Sequence, residues 1–241
     1  MKRKKRKGIQ ILLSVFLAIC CICLITGAAY GIKGYGLYRE AVEEKPVAQT
    51  VESIYRMEHF TPYEELPPIY RSAVISVEDH RFFSHNGIDP LAILRALWND
   101  LKSLSFAEGG STITQQLAKN LFFTQEKQLE RKAAEVFAAW DLESRYEKEQ
   151  IFELYVNTIY FGSGYYGIYD AAKGYFGKTP SELTDAEAVL LAGLPNAPTA
   201  YSLDRNPELA RQRMEQVLKR MVDCQALTME EADHLRNHCP I

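Results

Sequence analysis

A run of 25 residues, from Gly8 to Ile32, carries no charged side chain, and it limits the possible folds more than any other segment. As a helix it is long enough to cross the roughly 30 Å hydrocarbon core of a bilayer. Six of the seven residues before it are basic, which favours a cytoplasmic N-terminus. We therefore predict a basic cytoplasmic tail over residues 1–8, a transmembrane helix over residues 9–32 and a main domain on the outer face of the membrane.

A cleavable secretory signal is the alternative for this segment, because "TGAAY" places small residues near a possible cleavage site. The length of the apolar run favours an uncleaved anchor. Beyond the tail the chain has 22 basic and 31 acidic residues, a balance of −9. A negative balance disfavours nucleic acid as a partner.

Helical patterns dominate the chain after the apolar run. Residues 33–66 contain "EEKP" and "FTPYEELPP" and are predicted to form a tether with turns. From Pro67 and Pro68 onward, apolar residues recur at helical spacing, whereas alternating β-branched runs are missing. The sequence thus predicts one all-α domain over residues 67–241, with helices over residues 89–104, 112–123, 126–145, 148–158, 165–176, 184–194 and 206–237.

The segment "GGSTITQQLAKN" predicts a helix with an unusual polar face. Two glycines allow a sharp turn, and Thr112 with Gln115 fits a capping box. Helical spacing separates an apolar stripe from a polar face of hydroxyl, amide and ammonium groups, whereas a solvated helix face usually carries Lys and Glu. This polar face, which the spacing assigns to Thr112, Gln115, Gln116 and Lys119, is predicted to hold a polar ligand.

Two glutamates lie where burial makes a charge expensive. Glu78 ends "SAVISVED" and precedes a stretch rich in aromatic and histidine residues, and Glu135 is the only charged residue in "AAEVFAAW". A buried carboxylate costs free energy or takes up a proton, so both are candidates for acid and base chemistry. The alternatives are an ion pair between Glu135 and Lys132, and for Glu78 a solvated position at a helix end.

Other ligand-binding groups leave several readings open. His80, His85 and Asp89 could form a metal cluster, but without rigid ligand spacing a divalent ion such as Mg²⁺ or Mn²⁺ held partly by substrate is the better hypothesis. Cys224 and Cys239 could be free or paired.

Cations near the two glutamates distinguish between two sugar chemistries. Lys119, Arg131 and Lys132, with a Gly-Gly helix start, suit a sugar that carries phosphate. A glycoside hydrolase must protonate its leaving group with a carboxylic acid. A sugar diphosphate leaves as a stable anion, so cations suffice and a carboxylate is free to act as base.

Five segments resemble, in order, the signature blocks of the peptidoglycan glycosyltransferases, also called biosynthetic transglycosylases. They are "EDHRFFSHNGID", "GGSTITQQLAKN", "RKAAEVFAAWDLE", "ELYVNTIYFGSGYYGIYDAAKGYFGK" and "AVLLAGLPNAPTAYS". The resemblance implies a helical, lysozyme-like fold against the outer face of the bacterial cytoplasmic membrane. It also implies polymerisation of lipid II into glycan strands with inversion and release of undecaprenyl diphosphate, sensitivity to moenomycin, and cell-wall synthesis proteins as partners.

The resemblance further implies roles for individual residues. Glu78 matches the general base that deprotonates the acceptor's 4-hydroxyl, and Glu135 matches a glutamate that orients groups or a metal ion in the donor site. Lys119 and Lys132 match lysines that help to hold the diphosphate. The other family positions expected to contact substrate are Asp79, Phe82, His85, Arg95, Thr112 and Gln116. Beside these matches, we also expect Ser111, Gln115 and Arg131 to contact substrate.

Two other functions remain open for such a chain. A lytic transglycosylase or muramidase would share the fold but needs one glutamate acting as acid and has no use for the lysines. A non-catalytic scaffold would act through its membrane helix alone. The sequence contains no SxxK motif, so we expect the monofunctional type without a transpeptidase. Residues 102–110 are expected to form a mobile flap over the acceptor side.

Overall fold

The computed structural model describes residues 2–103, 109–123 and 129–241, and this part of the chain is helical without a β-strand. The prediction of an all-α fold is therefore confirmed. The α-helices, in chain order, are α1 Lys2–Glu44, α2 Val47–Tyr55, α3 Pro68–Glu78, α4 Pro90–Ser103, α5 Ile113–Phe122, α6 Leu129–Arg145, α7 Lys148–Thr158, α8 Ile168–Phe176, α9 Asp185–Gly193, α10 Pro207–Asp223 and α11 Met229–Asn237.

The prediction of a tether over residues 33–66 needs correction. Helix α1 continues past the apolar run to Glu44, and Pro46 ends it and begins α2. Along α2, Val47, Val51 and Ile54 recur at helical spacing and are buried in the core. Residues of this segment are thus part of the folded domain, because their apolar side chains have a surface to pack against.

Helix α1 is long and apolar enough to cross a membrane, by length and composition. The qualifying stretch is Leu13–Glu44, and it contacts no core in its apolar part. Its large apolar side chains, such as Phe16 and Leu24, are more than half exposed. A helix with this apolar surface is stable where lipid covers it.

Helix α9 forms the centre of the domain and packs against α3 and α10. Its sequence "AEAVLLAG" is apolar on nearly every side, and Ala188 to Ala192 are fully buried. A capping box of Thr184 and Glu187 begins this helix. A fully buried central helix fixes the relative positions of the helices around it, and these carry the site.

The predicted helix over residues 206–237 is two helices in the structure. A turn after Asp223 places Gln225 at φ 60°, and Thr228 and Glu231 form a capping box that begins α11. The turn lets α11 fold back against α10. The helical spacing of apolar residues continues across the break, so a prediction from periodicity alone merged the two helices into one.

Three further expectations can be placed on the structure. Cys224 and Cys239 are free thiols. The expected flap over residues 102–110 falls largely on residues 104–108, which lie outside the described residues. The start of the predicted helix over 126–145 also lies outside them, and α6 is described from Leu129.

Candidate active site

A cavity of about 700 Å³ lies between the C-terminal end of α3, the N-terminal half of α5, and α10. Five basic residues line it, against the two carboxylates of Glu78 and Asp79. This charge balance suits an anionic ligand. The basic lining residues are Arg95, Lys119, Arg213, Lys219 and Arg220.

The Glu78 carboxylate is held at the cavity wall by Gln116. Gln116 Nε2 donates to Glu78 Oε2 at 2.7 Å, and Gln116 Oε1 accepts from the Tyr155 hydroxyl at 3.4 Å. Glu78 Oε1 lies 3.8 Å from Arg213 Nη2 and has no hydrogen-bond partner among the described residues. One carboxylate oxygen is therefore oriented by an amide, and the other can accept a proton.

Burial raises the pKa of the Glu78 carboxyl above its ordinary value. The hydrogen bond from Gln116 and the charge of Arg213 oppose this shift, whereas the carboxylate of Asp79 adds to it. Glu78 is also the last residue of α3, where a negative charge opposes the helix dipole. A carboxylate placed so unfavourably for stability is typical of an acid or base in a functional site.

Asp79 lines the cavity and also holds the start of α5 in place. Its carboxylate is bonded to His85 Nε2 at 2.9 Å and accepts from the Ile113 backbone N–H at 3.1 Å. The Thr112 hydroxyl donates to the Gly87 carbonyl at 2.6 Å and caps α5. These contacts fix the first turn of α5 against the segment that follows α3. Gln116 and Lys119 project from this anchored helix into the cavity.

Three residues expected to contact substrate have structural positions instead. Phe82 is fully buried and packs against Phe152, and His85 is buried beside Asp79. Gln115 is also buried. Its side-chain oxygen accepts a hydrogen bond from the Thr112 backbone N–H and so closes the capping box. None of the three is among the cavity-lining residues, and neither are Arg131 and Lys132. The expected contacts that do line the cavity are Asp79, Arg95, Ser111, Thr112, Gln116 and Lys119.

Glu135 lies on α6, buried between two cations. It forms ion pairs with Arg131 and, at 2.9 Å, with Lys132. Lys132 also donates to Ser111 Oγ at 2.6 Å, and Ser111 lines the cavity. The ion pair considered as an alternative for Glu135 is thus present, and it joins the α6 cations to the cavity wall.

Several charged groups, including both glutamates, act on the ammonium of Lys119. Burial lowers the pKa of Lys119, and the positive charges of Arg131 and Lys132 lower it further. The carboxylates of Glu135 and Glu78 act in the opposite direction and raise it. All of these groups are therefore close enough to act on a single ammonium. Lys119, which lines the cavity beside Glu78, is thus acted on by the charges of both glutamates.

Helix α10 contributes a basic face that the sequence interpretation missed. Arg213, Gln216 and Arg220 follow i, i+3, i+7 spacing and line the cavity opposite α5. Arg213 Nε also donates to the Gly193 carbonyl at 3.2 Å, which ties its guanidinium to the end of α9. The spacing was visible in the sequence, but only the fold shows that this face points at Glu78.

His80 was considered only as a metal ligand, but it lines the cavity beside these arginines. Partial burial, and then the charges of Arg95 and Arg220, lower the pKa of its imidazole. A neutral imidazole adds hydrogen-bonding capacity without adding charge.

The donor groups of the described residues do not suit a metal ion held by protein alone. No group of three or more His, Cys, Asp and Glu side chains occurs among them. The Glu135 carboxylate is already paired with two cations, and Asp79 is occupied by His85 and a backbone N–H.

The fold and the cavity define a helical domain in which a buried carboxylate faces a basic cleft suited to an anionic ligand. The family model described as Transglycosylase matches residues 43–222. The chain belongs to this family, the peptidoglycan glycosyltransferases. The matched region begins within α1, which agrees with the inclusion of α2 in the folded domain.

Several curated proteins are similar to the chain over most of its length. It is 46% identical over 178 residues to penicillin-binding protein 1A of Aquifex aeolicus, covering 74% of this chain and 24% of that protein. It is 44% identical over 168 residues to penicillin-binding protein 1F of Bacillus subtilis, covering 70% and 24%. Penicillin-binding protein 1A of Escherichia coli is 38% identical over 246 residues, covering 92% and 28%. The chain thus spans about a quarter of the length of these relatives.

Proposed function

We propose that this protein polymerises lipid II into peptidoglycan glycan strands. The observation that carries the proposal is the Glu78 carboxylate, buried, oriented by Gln116 and placed in a cavity with five basic residues. A family role in glycosyl transfer for peptidoglycan synthesis supports it. The identity of the lipid-linked donor and of the released diphosphate is part of the proposal.

In the proposed reaction, Glu78 acts as general base toward the acceptor. Its unpartnered Oε1 accepts the proton of the 4-hydroxyl of N-acetylglucosamine as that oxygen attacks the anomeric carbon of the donor's N-acetylmuramic acid. The new glycosidic bond forms with inversion while the bond to the diphosphate oxygen breaks. The electron pair leaves with undecaprenyl diphosphate, which needs no proton because it is a stable anion.

The α5 and α6 cations are assigned to the diphosphate. Lys119 lies in the cavity, and Arg131 and Lys132 lie one helix away, joined to it through Ser111. Cations placed where negative charge develops on the leaving group stabilise the transition state without a proton transfer. A divalent ion bound by the substrate's own phosphates is compatible with this arrangement, but no protein cage for it is proposed.

We propose further that the protein is a single-pass protein of the cytoplasmic membrane, with its N-terminus in the cytoplasm and the helical domain outside. The apolar part of α1 and the basic residues before it support this orientation. An exposed apolar face on α4, with Leu91, Leu94 and Trp98, lies on the same domain and suits contact with lipid. Cell-wall synthesis proteins are proposed partners beside lipid II and the glycan strand.

Polymerisation tests the proposal directly. Purified full-length protein is incubated in vesicles either with lipid II or with finished peptidoglycan, with and without moenomycin. Moenomycin-sensitive strand growth from lipid II is the expected result. Release of muropeptides from finished peptidoglycan would instead support the lytic alternative, and inactivity on both would support a scaffold.

Replacement of Lys119 by alanine is expected to weaken binding of the lipid-linked donor. A charge-assisted hydrogen bond contributes about 1.5–3 kcal/mol, so we expect donor affinity to fall by about 10- to 100-fold. Isothermal titration of donor in detergent measures this directly. Lys173→Ala on α8 is the control, because Lys173 is not among the cavity-lining residues. Donor affinity equal to that of the control would remove Lys119 from this role.

The rate of transfer is expected to rise with pH as the Glu78 carboxyl ionises. Because Arg213 lowers the pKa of Glu78, Arg213→Gln should raise that pKa further. The rising limb of the rate against pH then moves to higher pH, and the loss of rate is greatest at low pH. A pH profile of kcat for the variant and the wild type measures the shift. A uniform loss at every pH would show that Arg213 binds substrate without tuning Glu78.

A further inference from the structure

The part of α1 that follows the apolar run packs closely on α6 through a glycine. A Cβ atom built on Gly34 would lie 2.4 Å from the Cβ of Ala133 and 2.9 Å from the Ala134 backbone nitrogen. Contacts this short are not tolerated, and two of the three nearest atoms are backbone atoms that no rotamer change can remove. The two helix backbones therefore meet at Gly34, and any side chain there must push them apart.

The remaining contacts show that α1 and α6 run parallel. Later residues of α1 meet later residues of α6, so both helices ascend from the same end. Side-chain pairs of this kind hold one relative register of the two helices. The pairs are Lys33 with Glu130, with Nζ to Oε1 at 3.3 Å; Tyr35 with Phe137, with ring centroids 5.3 Å apart; and Tyr38 with Asp141, with hydroxyl to Oδ2 at 3.0 Å.

Arg131 and its ion-pair partner Glu135 lie on the opposite face of α6. Arg131 and Glu135 stand two positions before and after Ala133, which is about 200° around a helix of 3.6 residues per turn. Their side chains therefore point away from α1 and toward the cavity side, where Lys132 reaches Ser111. One helix thus joins the membrane anchor on one face to the diphosphate cations on the other.

The register between α1 and α6 also determines the height of α6 relative to the membrane. Gly34 follows the last residue of the uncharged run, Ile32, by two positions, or about 3 Å along a helix. Because the helices are parallel and Gly34 meets Ala133, the first turn of α6 lies at the level where the apolar run ends. That level is the edge of the hydrocarbon core, where lipid phosphate groups lie.

We propose that the packing of α1 on α6 holds Arg131 and Lys132 at the height of the lipid headgroups, so that they meet the diphosphate of a donor whose polyprenyl tail stays in the bilayer. Gly34 is the positioning residue of this arrangement. The proposal rests on the proposed function, because it concerns how the same donor is presented. It assigns α1 a part in catalysis beyond anchoring.

Fluorescence quenching tests the height without any measurement of activity. Leu129, exposed at the start of α6, is replaced by cysteine and labelled in a chain whose five natural cysteines are replaced by alanine or serine. Lipids with a headgroup spin label should quench the fluorophore strongly. Insertion of seven residues, EAAAKEA, after Ile32 preserves the helix face to within about 20° and lifts the domain by about 10 Å, so quenching should fall. Equal quenching in both proteins, or none in either, would overturn the proposal.

Matched glycine variants test the positioning role. Gly34→Ala and Gly36→Ala gain the same helix propensity, but only the first meets a neighbour, because nothing lies within 4 Å of a Cβ at Gly36. A displacement of about 1 Å at a reactive site can cost about 10²-fold in rate. We expect a loss of this size for Gly34→Ala with lipid II in vesicles, and wild-type turnover for Gly36→Ala.

A comparison of two donor substrates shows whether a variant is impaired because its cations are misplaced relative to the membrane or because the domain is misfolded. In detergent with a short-chain, water-soluble donor, height no longer matters, so the seven-residue insertion variant should regain wild-type turnover while it stays impaired in vesicles. Equal turnover of the two glycine variants in vesicles, or an insertion variant as active there as the wild type, would overturn the inference. Failure of the wild type to extend lipid II would refute the proposed function instead, and the quenching result would still decide the position of α6.

Discussion

Glu78→Gln is expected to lower turnover by about 10²- to 10⁴-fold, the usual effect of removing a general base. The amide has nearly the same shape as the carboxylate and can still pair with Gln116, so the cavity wall is preserved. It cannot take a proton from the acceptor hydroxyl. Single-turnover rates of strand extension, together with donor affinity, measure the effect, and affinity should remain near that of the wild type.

Glu149→Gln is the control for Glu78→Gln. Glu149 lies exposed in the first turn of α7, so the same chemical change there removes a charge without touching the cavity. Its turnover should match the wild type. If Glu78→Gln retained a rate within a few-fold of this control, Glu78 could not be the base, and the proposed mechanism would lose its central residue.

Glu135→Gln is expected to reduce both stability and activity. The carboxylate is buried and pairs with two cations, and removing one partner of a buried ion pair typically costs 3–5 kcal/mol. Because the Lys132 side chain is 47% exposed and can be hydrated, we expect the lower end, about 3 kcal/mol. For a protein of this size that lowers the melting temperature by about 6–12 °C. Circular dichroism during heating in detergent measures it.

The activity of Glu135→Gln should fall as well, because Arg131 and Lys132 lose the group that orients them beside Ser111 and Lys119. Glu130→Gln on the same helix is the control for the melting temperature. Among the described residues Glu130 pairs with Lys33, whose side chain is 66% exposed, and exposed ion pairs contribute about 0–1 kcal/mol. A melting temperature for Glu135→Gln equal to that of Glu130→Gln would show that the buried cluster does not stabilise the domain.

The position of Glu78 at the end of α3 illustrates how much local sequence could reveal. The apolar spacing before it predicted the helix, and the cost of a carboxylate in such a setting marked it as a functional candidate. The capping boxes at Thr112 and Thr184 were equally local, and both are present. Interactions within one helical turn involve residues three or four positions apart, so the spacing of residues in the sequence is enough to predict them.

Long-range contacts were beyond the reach of the same reasoning. The sequence indicated two roles for Gln115, in the capping box and on the ligand-facing polar face, and only the packed structure shows that its side chain is buried in the first. Phe82 was expected near substrate, but it fills the core beside Phe152. In each case the side chain had two possible partners, and only the packed surroundings selected one. Arg213 was missed for the complementary reason, because its partner Glu78 is 135 positions away in the chain.

The sequence by itself determined the helical class, the apolar segment near the N-terminus and the candidate acid–base residues, because each depends on periodicity or on the cost of burying a charge nearby. Only the tertiary structure decided that α1 and α2 belong to the folded domain, that α10 supplies cations opposite Glu78, and that Gly34 brings α1 against α6. These features depend on which surfaces meet when distant helices pack. The free energy of that packing is shared among residues far apart in the chain, so the sequence of a single segment does not predict which helices pack together.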